Sequence, residues 1–230
     1  MTDNRNAAEH IASVESSIGH LRQQLVTSIP PFERRPGEKL VRLAAIWREA
    51  QLYRMVDLGS ASLAMFQEGR LVPGCTLTRS LYETVAQLHY FKLKLTDFID
   101  NPNIPEIADF AIRMSWGSKE RSSHPDPIQI LTALKHLNKE FPGSQDEYFH
   151  LCEYAHPNFK GALGTYARIE RTSLEVAFGI NPQNLPMVAF GLGGLDNILT
   201  IAGHLYDAYM SVEANFRTMV YKNASDKYLD

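Results

Sequence analysis

Tyr148, Cys152 and His156 recur at every fourth position in the stretch YFHLCEYAHPNFKG, so a helix would present them on one face. Glu153 stands one turn before His156, and Pro157 disfavours helical geometry in the residue that precedes it. The helix therefore stops at His156, where the negative end of its dipole and the neighbouring glutamate both favour a cation. A histidine held in this way suits general acid–base work or anion binding, and the same electrostatics suit a plain C-terminal cap. A second polar line runs through TRSLYETVAQLHY, where Arg79, Glu83 and Gln87 follow at i, i+4 and i+8. On a solvated face such an ion pair contributes only about 0.2–0.5 kcal/mol, and arginine before glutamate is the less favourable order. His150, Cys152, Glu153 and His156 crowd one segment. Zinc would want a second pair to match Cys-x3-His, and a metal site across a bundle would want Glu-x-x-His on another helix as well. Cys152 reads instead as a small buried hydrophobe, and neither a metal nor a cofactor is expected.

Helices must position these groups, and helical periodicity dominates the chain. Apolar residues at helical spacing predict helices over 7–28, 38–67, 75–98, 104–116, 127–140, 145–156 and 186–221. The segments SIPPFERRPGE, EGRLVPG, NPNIPE and GSKERSSHPDP break the pattern between them. After Pro157, TYARIERTSLEVAFG alternates like a small hairpin over 166–178. The expected fold is all-α: an antiparallel helical bundle with a small irregular or hairpin insertion after the His-Pro pair. One domain over 1–230 is expected, with a bundle core at about 38–221 and the first helix at its periphery. GLGG at 191–194 has no strand before it and no lysine after it, so it reads as a close helix crossing rather than a phosphate loop.

Composition narrows the partners. A net charge of −3 gives no broad basic surface for coating nucleic acid. Two cysteines, Cys75 and Cys152, are too few for a disulfide framework. Neither a signal sequence nor an apolar run long enough to span a bilayer stands out, so a reduced, cytoplasmic protein without a membrane partner is expected.

The Arg-x3-Glu helix from Thr78 and the later Tyr-x7-His-Pro-Asn segment from Tyr148 together resemble a family of bacterial helical proteins. Its members carry an R-x-x-x-E helix and a downstream Y-x-x-[LS]-[SC]-x-x-x-H-P-[SN] helix end. That family is similar to the HEPN superfamily, small all-α domains many of which are RNases of toxin–antitoxin and phage-defence systems. The resemblance spans roughly residues 72–161 and the last helix. It implies a homodimer, an antitoxin or other protein partner, and metal-independent attack by an RNA 2′-hydroxyl on the adjacent phosphate. It further implies that His156 is the acid–base group, that Arg79 binds the phosphate, and that Glu83 orients one of them. Tyr148, Glu153 and Asn158 would support the site. The usual HEPN signature, Arg and a polar residue followed on the same helix by His, does not lead into His156. It occurs literally in RNAAEH, which makes Arg5 and His10 a backup site. Two other readings stand beside the nuclease: a non-catalytic helical module that binds a protein or nucleic acid, and a metal-dependent hydrolase.

Overall fold

The chain enters its first helix through a capping box. The Asn6 side chain accepts the Glu9 backbone N–H at 3.0 Å, and the Glu9 carboxylate accepts that of Asn6 at 3.0 Å. The computed structural model describes residues 6–31, 33–120, 124–180 and 184–225. In chain order these form α1 (Ala7–Gln23), α2 (Glu38–Gln67), α3 (Leu71–Asp100), α4 (Ile104–Trp116), α5 (Ile130–Glu140), α6 (Ser144–Ala155) and α7 (Leu163–Tyr166). The strands β1 (Ala167–Ile169) and β2 (Val176–Phe178) and the long α8 (Leu185–Asn223) complete the order. The fold is an all-α bundle with one small hairpin after the His-Pro pair, as expected. The first helix is shorter than its periodicity predicted. The third begins four residues earlier, with Pro73 inside its first turn, where a missing N–H costs nothing.

α3 and α8 lie together at the centre, with α2 against α3, α1 against α8, and α5 and α6 along another side of α3. Chain neighbours α2 and α3 are antiparallel. α3 and α8 run parallel: Tyr82 meets Gly194, Phe91 meets Tyr209 and Phe98 meets Phe216 in ascending order along both helices. The helices between them return the chain to the end from which α3 started. α1 is part of the packed core, with Val14, Ile18 and Leu21 buried.

Two local devices hold the centre. The ring of Phe66 lies between Gly74 of α3 and Gly191 of α8; a Cβ at either glycine would come within 2.5 or 2.6 Å of it. This is the close crossing that GLGG predicted. Farther along, buried Arg48 of α2 bonds its neighbour Glu49 at 2.8 Å through Nε and pairs with buried Glu213 of α8. Tyr206 donates to Glu49 at 3.1 Å. α8 is long and apolar enough to cross a membrane by length and composition, contrary to the sequence expectation. Here it is a core helix, buried at intervals from Val188 to Val220.

Candidate functional site

α6 packs antiparallel to the first half of α3, and this brings two predicted side chains and one unexpected one onto Arg79. Its Nη2 donates to the Tyr148 hydroxyl at 2.9 Å and pairs with Glu83 Oε1 at 2.9 Å. Its Nε donates to Cys152 Sγ at 3.1 Å. The Tyr148 hydroxyl donates in turn to Glu83 Oε1 at 2.8 Å, which closes the triangle. Arg79 and Glu83 are about a quarter exposed, and the Nη1 hydrogens have no partner among the described residues. Burial works against the guanidinium charge, but the Cys152, Glu83 and Tyr148 contacts outweigh it and hold Arg79 above its usual range. Burial and the Glu83 carboxylate push the Tyr148 hydroxyl well up, so it stays protonated.

Cys152 is therefore not the buried hydrophobe of the sequence reading: it is half-buried with its sulfur on Arg79. The four-residue spacing with Tyr148 and His156 was the signal for it. Four residues of helix advance about 6 Å, so His156 stands one turn beyond Cys152. It is the C-cap of α6, exposed, with its backbone N–H on Cys152 O at 3.0 Å. No hydrogen bond joins its ring to Arg79 or Glu83 among the described residues. The turn after it is built by the other predicted residues. Asn158 donates to the Glu153 carboxylate at 3.2 Å and accepts the Gly161 backbone N–H at 3.0 Å. Gly161 folds back over the helix end so closely that a Cβ there would sit 2.0 Å from the His156 carbonyl oxygen.

Beneath this cluster the same helices are tied again. The Tyr82 hydroxyl, fully buried on α3, donates to the Glu147 carboxylate of α6, which also accepts from Asn197 of α8 at 2.8 Å. Burial first, and Glu147 second, drive the Tyr82 hydroxyl far above its normal range. Neither Glu147 nor Asn197 was singled out in the sequence.

Arg5 of the backup site lies outside the described residues. His10 is inside the first turns of α1, buried, with Nδ1 at 2.9 Å from Asp196 Oδ2 of α8. Ser13 donates to the other Asp196 oxygen at 2.6 Å, so the carboxylate bridges serine and histidine. The serine does not meet the imidazole, as a Ser-His-Asp nucleophile would require.

Among the described residues no group of three His, Cys, Asp or Glu side chains is placed to hold a metal ion. A groove of about 590 Å³ opens elsewhere, between the far half of α3, α4 and the start of α5, with Tyr90, Lys94, Phe110 and Arg113 on its walls. Tyr90 is eleven residues from Arg79, about 16 Å along the helix. The groove and the arginine cluster are separate features. No family model, no curated protein and no solved structure matches this chain.

Proposed function

We propose that the protein is a HEPN-like, metal-independent ribonuclease of the toxin or phage-defence kind, acting on RNA through Arg79 and His156. The observation that supports this reading is the placement of Arg79. Three partners fix its Nε and Nη2 face on a half-exposed surface, its Nη1 remains open, and His156 stands one turn from its Cys152 contact on the neighbouring helix. A fixed guanidinium is the group of choice for a phosphate. In the proposed reaction the RNA 2′-oxygen bonds to phosphorus and the bond from phosphorus to the 5′-oxygen breaks. The products are a 2′,3′-cyclic phosphate and a 5′-hydroxyl. The 2′-hydroxyl proton must be removed and a proton delivered to the leaving 5′-oxygen; an imidazole at His156 can perform either transfer. Glu83 and Tyr148 position Arg79 and do not react. On this reading the protein works in the cytoplasm as a homodimer, held in check by an antitoxin or other protein partner.

One observation favours a second reading, a non-catalytic binding module: Glu83 neutralises Arg79 in a direct pair and weakens its pull on a phosphate. Expression of wild-type, His156→Ala and Arg79→Lys proteins, with growth, total RNA and purified cleavage in EDTA followed, separates the two. The nuclease reading expects cleavage that EDTA does not suppress. It also expects a loss of about a hundredfold or more for His156→Ala, and severe loss for Arg79→Lys because an ammonium lacks the guanidinium fork. Growth inhibition without cleavage supports the binding module. Unchanged cleavage by His156→Ala reduces that histidine to a cap and moves attention to Arg5 and His10.

A further inference from the structure

We propose that the insertion between α6 and α8 is a dimerisation arm whose uncovered apolar face packs against the same face of a second copy of this chain. The inference stands apart from the nuclease reading and requires no activity.

The ribbon is two-sided in composition. β1 pairs antiparallel with β2 in the register Ala167 to Phe178, Arg168 to Ala177 and Ile169 to Val176. Side chains two apart in a strand share a face, so Ile169, Val176 and Phe178 lie together with Ala167, and Arg168 falls on the other side. That apolar face is uncovered, with Ile169 at 66 % and Phe178 at 77 % exposure. The exposed patch continues through Phe159, Leu174, Ile180 and Leu185. Leu174 sits at the tip with φ 58°, a conformation usually left to glycine or asparagine. The body of the protein does not cover the ribbon. Its chief contacts are between its own strands and with α7, and its base is pinned by Tyr166 O to Gly179 N–H at 2.9 Å and by Asn184 to Thr165 O at 2.9 Å. An isolated two-stranded ribbon is marginal in water and needs packing on one face.

Three arguments identify the covering surface as a second copy. Six large side chains at roughly 100 Å² each present on the order of 600 Å², beyond the few hundred Å² of ordinary surface patches. With its flanks the patch approaches the ~800 Å² per partner of a standard interface. The charges of the ribbon, Arg168 and Arg171 against Glu170 and Glu175, cancel, so the face can meet itself about a two-fold axis without like-charge repulsion. An anionic bilayer or a nucleic acid would instead call for a basic ribbon.

Sedimentation equilibrium of the full chain from about 1 to 100 μM, with vesicle flotation beside it, tests the proposal. The wild type is expected to be a dimer that does not float with anionic phosphatidylglycerol vesicles. Ile169→Glu combined with Phe178→Glu should keep the helical circular dichroism spectrum and raise the dimer dissociation constant at least about a hundredfold. Single Val176→Lys, at a less exposed position of the same face, should weaken the dimer in the same direction. A wild type that stays monomeric over this range, a charged double variant that stays dimeric, or flotation of the wild type would each overturn the proposal.

Discussion

His89 carries a consequence of burial outside the candidate site. Its ring is 1 % exposed on α3, with Nδ1 at 3.7 Å from the half-exposed Glu140 carboxylate. Burial lowers its pKa to about 4; Glu140 opposes the shift, and Lys92 adds to it. Between that value and the ordinary 6.5, the unfolded chain binds a proton that the folded chain refuses. The contribution is therefore intact above about pH 6.5 and is lost as the pH falls toward 4. The loss should reach about 2 kcal/mol, less than the full shift would give because Glu140 and solvent screen the ring. Urea titrations of wild type and His89→Gln at neutral pH and near pH 4.5 should show the wild type losing more stability on acidification. Equal losses would mean that His89 titrates normally. At Arg79 the sequence exposed the ion pair through its four-residue spacing, but the sulfur of Cys152 was invisible because it comes from a helix 73 residues away.

Among the elements, the crossing of α2, α3 and α8 depends on one ring between two glycines. A methyl group at Gly74 or at Gly191 would each displace Phe66, which is 2 % exposed and has no free space. Each alanine variant should cost about 1–3 kcal/mol by overpacking. The double variant should cost less than the sum, because both push on the same ring. Chemical denaturation of the two single variants and the double variant measures this, and strict additivity would separate the two contacts. Helix positions and the hairpin followed from apolar periodicity, turn residues and alternation. The parallel course of α3 and α8 did not, since periodicity records which face is buried and says nothing about the neighbour that buries it.

Across the whole molecule, the Arg48 network ties the second helix to the last. One guanidinium serves two buried carboxylates, Glu49 and Glu213, with Tyr206 beside them. Arg48→Met would leave both acids without their cation, at a cost of about 3–5 kcal/mol. Adding Glu49→Gln and Glu213→Gln should recover part of that loss, since the uncompensated charges are its source. Denaturant midpoints for the single and triple variants decide the matter, and a silent Arg48→Met would show that the acids are already protonated. The amino-acid sequence by itself determined the helical class, the break at Pro157 and the hairpin after it, because propensity, capping and periodicity are local properties of the chain. It also marked Arg79, Glu83, Tyr148 and His156 as residues worth following. Only the tertiary structure decided that Tyr148 and Cys152 close on Arg79, that His10 meets Asp196, and that α8 is a core helix despite its apolar length. These outcomes depend on which helices become neighbours. Neighbours are chosen by summed burial over many distant side chains, with buried polar groups admitted only where a partner from another helix can satisfy them.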